Sequence, residues 1–109
     1  MTPDQQRKIL EAAAKACEHK IWDWYDEGPY LSESSDSLWN PLTKSADTAE
    51  MCAKLEINHE HHSDYIQCLW APQETYHVIT MLKDHDNSRL KAWMYAATMV
   101  AAKTQGYEE

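Results

Sequence analysis

Residues 65–82 read YIQCLWAPQETYHVITML, two runs rich in aromatic and β-branched residues on either side of an APQ break. Such runs predict strands, here from Tyr65 to Trp70 and from Glu74 to Leu82. The preceding segment, from Glu56 to His61, predicts another strand, separated from Tyr65 by a turn-like HSD sequence. Because short breaks favour antiparallel neighbours, the three strands are predicted to form an antiparallel meander.

The N-terminal segment carries the signals of a helix. Thr2 is a candidate N-cap, Pro3 takes the first helical position, and Gln5 follows the cap by three residues, as in a capping box. Apolar residues recur at helical spacing from Leu10 as far as Ile21. This pattern predicts one long helix with a single face for the core.

Two further helices are predicted downstream. Ser45 is the expected cap of a short helix over residues 46–55. After the sequence KDHDN, Asn87 or Ser88 caps a final helix for which Gly106 supplies the stop. The apolar residues of that helix recur at steps of three and four, which predicts a core-facing stripe: Leu90, Trp93, Met94, Ala97, Val100, Ala101 and Thr104.

The order of these elements predicts the α+β class: a helix, an acidic loop, a short helix, a three-stranded antiparallel meander and a long C-terminal helix. A chain of 109 residues has the usual size of one domain, so residues 1–109 are expected to share one core. No apolar run approaches the ~20 residues of a membrane-spanning helix, and the chain opens on a helix start rather than a targeting segment. We therefore expect no membrane role.

Charge and aromatic residues are concentrated in the loop at about residues 22–43. The chain has 18 Asp and Glu against 10 Lys and Arg, and its net charge of −8 disfavours direct binding to nucleic acid or anionic membrane. Acids steer a basic partner while Trp and Tyr anchor interfaces. The predicted partner-binding residues are accordingly Asp23, Trp24, Tyr25, Asp26, Glu27, Tyr30, Glu33 and Asp36.

The tryptophans of this loop also have a structural interpretation. Large aromatic residues in small domains most often cover the core, and this reading applies to Trp22, Trp24 and Trp39. Trp39 precedes Asn40 and Pro41, which are expected to fix the turn into the short helix. We therefore expect Trp39 to be structural and to seal the edge of the sheet.

The segment His59-Glu60-His61-His62 is the strongest candidate for metal ligation. Two histidines two residues apart on a strand share one face, so His59 and His61 are able to share a metal. A structural site needs further ligands, of which His77 and Asp64 are the candidates. The alternative is a solvated polar strand face, and neither a metal nor another cofactor is assigned.

The three cysteines, Cys17, Cys52 and Cys68, are an odd number without a CxxC motif, which is typical of a reducing cytoplasm. Cys68 and His77 fall on adjacent predicted strands, which suggests a nucleophile and a base. The alternative is that Cys68 is a small buried hydrophobic residue, because nothing supplies a recognisable oxyanion hole or orienting third residue. No catalytic residue is assigned.

The chain resembles the phage ABA-sandwich domain family over about Trp22 to Gly106. The resemblance rests on the segment Trp39-Asn40-Pro41, the following Asp47-Thr48-Ala49, the histidine-rich strand with two more strands behind it, and the Ala-rich terminal helix. It implies a small phage or prophage accessory protein of a largely uncharacterised family, which offers no catalytic residues to transfer to this chain.

Charge and resemblance together lead to a functional hypothesis. The protein is expected to be non-enzymatic and to bind and inhibit a host nucleic-acid-handling or defence complex in the bacterial cytoplasm. An anti-CRISPR-like protein that mimics DNA through its acidic surface is the sharpest form of this hypothesis. The alternatives are a small metal-dependent or cysteine enzyme that uses His59, His61, His77 and Cys68, and a structural or self-associating phage domain.

Overall fold

The computed structural model describes residues 2–25, 28–31 and 38–108, and it confirms the predicted α+β class. Among these residues no helix has both the length and the hydropathy needed to cross a bilayer. The elements are, in chain order, α1 (Pro3–Ala16), β1 (Asp23–Tyr25), β2 (Gly28–Tyr30), α2 (Ser45–Leu55), β3 (Ile57–His61), β4 (Tyr65–Trp70), β5 (His77–Met81), a 3₁₀ turn (Leu82–His85) and α3 (Arg89–Lys103).

The three predicted strands form one antiparallel sheet in the order β3, β4, β5. β4 has the predicted bounds, whereas β5 begins three residues later than predicted. The reason is a turn, in which the Gln73 N–H donates to the Trp70 carbonyl at 3.0 Å and the Tyr76 N–H donates to the Gln73 carbonyl at 3.1 Å. β5 also ends one residue early, because Leu82 begins the 3₁₀ turn.

The sheet has one covered face and one open face, since successive strand residues point to opposite sides. Ile66 and Cys68 of β4 are fully buried, and Val78 and Thr80 of β5 are buried beside them on the side that α3 covers. On the opposite face Ile79 exposes 55% of its surface. The helices therefore pack on a single side of the sheet.

α3 is the central element of the fold. Every residue from Ala96 to Ala102 is buried, so about two turns of this helix have no solvent-facing side. α3 packs on the sheet and also contacts α1 and α2. The Thr98 hydroxyl donates to the Met94 carbonyl at 2.7 Å, so burial leaves this polar group satisfied. The predicted core stripe is confirmed in this half of α3.

The predicted caps of the two long helices are confirmed. The Gln5 N–H donates to Thr2 Oγ1 at 3.2 Å, and the Thr2 N–H donates to Gln5 Oε1 at 2.9 Å, which completes the capping box. Ser88 caps α3 through its side chain. α1 nevertheless ends at Ala16, five residues earlier than predicted, because Glu18 leaves the helical path at a φ of 60°.

The predicted cap of α2 is wrong, because Ser45 is the first helical residue and the residue before it makes no capping bond. The start of α2 is held by Asp47 instead, whose Oδ2 accepts the Asn40 N–H at 2.9 Å. Thr48 adds a bond in which its hydroxyl donates to the Pro41 carbonyl at 2.7 Å. These bonds fix the segment around Asn40 against the first turn of α2.

The loop predicted over about residues 22–43 contains an antiparallel two-stranded ribbon, β1 and β2, that the sequence pattern did not indicate. The ribbon is attached to the body of the protein at Trp39, whose N–H donates to the Pro29 carbonyl at 2.8 Å. Trp39 itself is buried, as predicted, but its backbone bonds the ribbon rather than the edge of the three-stranded sheet.

Gly28 is the residue that allows the ribbon to lie against the body. Its φ is +133°, a conformation that other residues rarely adopt. A Cβ at this position would lie 2.8 Å from the Trp39 carbonyl oxygen and 3.2 Å from the Asn40 Cβ. The nearer of these two atoms belongs to the backbone and not to a flexible side chain, so the backbone itself would have to move.

We expect Gly28→Ala to lower the free energy of unfolding by about 2–4 kcal/mol, since it adds a backbone clash to an unfavourable φ. Gly106→Ala is the matched control, because Gly106 also has a positive φ, +86°, but nothing lies within 4 Å of an added Cβ. The control is expected to lose about 1 kcal/mol. Urea unfolding of both variants measures the difference, and equal losses would contradict the close contact at Gly28.

Candidate functional site

The ribbon presents aromatic and acidic side chains to solvent. Trp22, which precedes β1, exposes 60% of its surface, and Tyr25 exposes 54%. Tyr25 and Tyr30 meet edge to face with ring centroids 4.9 Å apart. Asp23 is exposed and pairs across the ribbon with Tyr30. We refer to Trp22, Asp23, Tyr25 and Tyr30 as the ribbon surface.

Trp24 occupies the other side of the ribbon. It is half-buried and packs against the core, and the Arg7 guanidinium carbon lies 4.7 Å from the centre of its ring. Trp24 thus fits the structural interpretation, its role in partner binding stays a prediction, and Trp22 is the more exposed of the two. Alternation along β1 explains the inward position of Trp24, because its neighbours Asp23 and Tyr25 point outward.

A recess of about 350 Å³ lies between the ribbon and α1. Leu10 and Trp24 supply apolar lining, while Asp4 and Arg7 supply charge. Tyr25 belongs both to this recess and to the ribbon surface. Exposed aromatic residues thus adjoin a recess of a size that receives a side chain, which is the usual arrangement around the anchoring residues of an interface.

Part of the predicted partner-binding set lies outside the described residues: Asp26, Glu27, Glu33 and Asp36. Asp23 is the predicted acid that the structure does describe. Its Oδ1 accepts the Trp24 N–H at 2.8 Å, and the side chain stays exposed. A local bond of this kind orients the carboxylate without removing its charge from the surface.

The register of the sheet separates the three histidines proposed as metal ligands. His59 and His61 share the face on which Cys68 lies, and their ring centroids are 5.1 Å apart. His77 pairs with Leu69 and points to the opposite face, because Cys68 and Val78, the next pair in the ladder, point inward. Within residues 2–25, 28–31 and 38–108 no group of three metal-ligating side chains comes together.

The same register separates Cys68 from His77, so the proposed nucleophile and base do not meet. Cys68 is fully buried, and burial raises the pKa of its thiol from 9.0 to about 12, with a smaller contribution from Cys52. Burial likewise raises the pKa values of Cys17 and Cys52 to about 11. All three cysteines are free thiols. Cys68 matches the structural alternative, a small buried side chain.

Trp93 is a residue whose position the sequence pattern predicted wrongly. It is half-buried rather than part of the core, and its ring centroid lies 6.0 Å from that of His59. Leu90, on the same predicted stripe, exposes 52% of its surface. The stripe of α3 therefore continues past the core at the N-terminal end of the helix, where it borders surface recesses.

Comparison of the chain with protein-family models, with curated proteins and with solved structures returned no match in any of the three. The resemblance to the phage ABA-sandwich family therefore stays a prediction.

The raised pKa of Cys68 predicts a loss of stability at alkaline pH. When the pKa of a thiol is higher in the folded state than in the unfolded state, the thiol stabilises the fold fully below pH 9.0. This contribution to the free energy of unfolding declines as pH rises toward about 12. Between pH 9 and pH 10 the free energy of unfolding should fall in the parent, and in Cys68→Ala this fall should be smaller by up to about 1.4 kcal/mol. Urea unfolding at both pH values tests this. The control Val78→Ala truncates the same face without a titrating group, and its pH slope should match the parent.

Proposed function

We propose that the protein is a non-enzymatic binding protein that engages a basic protein partner through the ribbon surface. The observation that carries this proposal is the exposure of Trp22 and Tyr25 beside Asp23 on a ribbon held in place by the body of the protein. Two large aromatic residues exposed by more than half, within four positions of each other, have no role in the core. They suit the anchoring positions of an interface.

Charge supports a basic partner. The five acids of residues 22–43 stand without a Lys or Arg between them, and the whole chain has a net charge of −8. Such a surface accelerates encounter with a positive groove and disfavours encounter with nucleic acid. The proposed partner is a host nucleic-acid-handling or defence complex whose basic channel the protein occupies, an anti-CRISPR-like role proposed from the acidic charge together with the phage resemblance. The proposed compartment is the bacterial cytoplasm.

The ribbon also has the rigidity that a binding surface needs. Its β2 strand is bonded to Trp39 and abuts Asn40 at Gly28, and Asn40 is in turn bonded to Asp47 of α2. A surface fixed in this way loses less conformational entropy on binding than a free loop.

Removing the acids of the ribbon region should abolish salt-sensitive capture of a partner. The test variant carries Asp23→Asn, Asp26→Asn, Glu27→Gln, Glu33→Gln and Asp36→Asn, which changes the net charge from −8 to −3. The tagged protein and the variant are used as bait in bacterial lysate at ~50 mM and ~500 mM salt, where screening differs severalfold. We expect the parent to retain a basic nucleic-acid-binding complex at low salt and the variant to retain at least tenfold less.

A matched control separates the position of the charges from their number. It removes five exposed carboxylates elsewhere and has the same net charge of −3: Glu11→Gln, Glu50→Gln, Asp64→Asn, Glu74→Gln and Glu108→Gln. This control should retain the partner. Equal loss of the partner in both variants would show a nonspecific charge effect. If the parent protein retained no partner at either of the two salt concentrations, the proposed function would be contradicted.

The aromatic residues of the ribbon surface should contribute contact energy that salt does not remove. We expect the double variant Trp22→Ala, Tyr25→Ala to weaken affinity for the captured complex at least tenfold at both salt concentrations. Ile79→Ala, an equally exposed apolar truncation on the open face of the sheet, serves as the control and should bind like the parent. Biolayer interferometry with the purified complex measures both, and similar affinities for the two variants would contradict the role of the ribbon.

A further inference from the structure

A recess of about 330 Å³ lies where the first turn of α3 meets β3. Its lining consists of His59 and His61 of β3 and Arg89, Leu90 and Trp93 of α3. It belongs to neither the ribbon surface nor the recess beside α1. Its chemistry is unusual for this chain, because a protein with a net charge of −8 here presents a guanidinium and two imidazoles without a carboxylate in the lining.

Arg89 is held loosely and keeps donor capacity for a ligand. Its Nη1 lies 3.4 Å from His61 Nδ1, and its Nη2 donates to the Ser63 carbonyl at 3.4 Å, both near the limit for a hydrogen bond. The ion pairs found in the described part of the chain join other residues, His62 to Glu60 and Lys91 to Asp86. A guanidinium without a carboxylate partner is able to bind one in a bidentate manner.

Trp93 adds a second donor that the protein does not use. Its Nε1 is shielded from solvent and has no hydrogen-bond partner among the described residues. Buried indole N–H groups normally have an acceptor, because an unmade bond of this kind costs about 1–3 kcal/mol. Because Nε1 is shielded from solvent, an acceptor brought by a ligand would satisfy it only after the indole ring turns toward the recess.

The remaining lining is apolar. Leu90 exposes 52% of its surface at the recess, although it lies on the core-facing stripe of α3 by sequence. The Trp93 ring stands edge to face with His59 and also borders a wider, shallower recess, which the small residues Ala49 and Ala53 of α2 line in part. The apolar part of a ligand would therefore contact apolar side chains on more than one side.

From these observations we infer that the recess between β3 and the start of α3 binds a small carboxylate with an aromatic or otherwise apolar body. The carboxylate pairs with Arg89, the Trp93 ring turns so that its indole N–H donates to the same carboxylate, and the body packs on Leu90 and the indole ring. The inference is independent of the proposed partner binding, because it shares no residue with the ribbon surface.

Benzoate is the probe, and benzyl alcohol is its matched neutral control with the same ring. Binding is followed by the Trp93 indole resonance in ¹H–¹⁵N spectra of the full chain, assigned by its loss in Trp93→Phe. We expect saturable shifts of this resonance by benzoate with a dissociation constant on the order of 1 mM, as a ligand of this size permits. Benzyl alcohol should bind at least tenfold more weakly.

Two variants test the assigned contacts. Arg89→Gln should weaken benzoate binding at least tenfold, while Lys91→Gln, which removes a neighbouring positive charge paired with Asp86, should change it less than twofold. Trp93→Phe keeps an aromatic wall and loses the N–H, so affinity measured by calorimetry should fall about threefold to tenfold. Dispersed spectra that match the parent show that each variant is folded.

Several results would overturn the inference. They are the absence of a saturable shift at the Trp93 indole with benzoate, equal binding of benzyl alcohol, and equal losses in Arg89→Gln and Lys91→Gln. Benzoate binding that persists in Trp22→Ala, Tyr25→Ala shows that this recess stands apart from the ribbon surface, whatever the fate of the proposed partner binding.

Discussion

The structure depends on the burial of α3 on all sides between Ala96 and Ala102. A helix without a solvent face must be covered by more than one neighbour, and here the sheet lies against it together with α1 and α2. Alanines make this arrangement possible, because short side chains allow packed elements to approach closely, while Met99 and Val100 fill volume. Each neighbour needs only one apolar face, so α1 and the sheet each keep a side for solvent.

This arrangement explains where the two proposed binding surfaces lie. The core uses the inner face of the sheet, the second half of α3 and, in its first half, Ala92 and Met94, and it leaves one side of the first turns of α3 at the edge of the packed layers. Trp93 and Leu90 continue the apolar stripe into that region, where no layer covers them fully. The ribbon also lies outside the core. It is attached to the body of the protein by the backbone hydrogen bond at Trp39 and by close packing at Gly28. Both surfaces thus consist of residues that the small core does not bury.

The parts of the fold that the sequence predicted well are those specified by local signals. The capping box at Thr2, the cap at Ser88 and the bounds of β4 depend on residues a few positions apart. The ribbon was missed because its attachment joins Pro29 to Trp39 and no local pattern encodes that pairing. His77 does not join His59 and His61 or meet Cys68, because a shift of one position along a strand reverses the face on which a side chain lies.

The candidate site was predicted only in part, for a related reason. Composition located the acidic and aromatic segment, but it gave no means of telling Trp22, which exposes 60% of its surface, from Trp24, which is half-buried. Helical periodicity placed Trp93 in the core, yet the residues on either side of it, Ala92 and Met94, are the buried ones, because periodicity does not show which side of the helix the neighbouring layers cover. Depth depends on how far the neighbouring layers extend, which is a property of the packed structure.

The two proposed surfaces differ in how their charge acts. In residues 22–43 five acids contribute to the net charge of −8, so their effect on a basic partner reaches over about a Debye length, ~8 Å at physiological salt, and responds to ionic strength. At Arg89 a single guanidinium works against the field of the whole protein, which repels small anions. Attraction there must come from short-range hydrogen bonds and from apolar contact with Leu90 and Trp93. A ligand without an apolar body, such as a simple inorganic anion, gains only the hydrogen bonds. The apolar lining therefore favours a carboxylate that carries a ring.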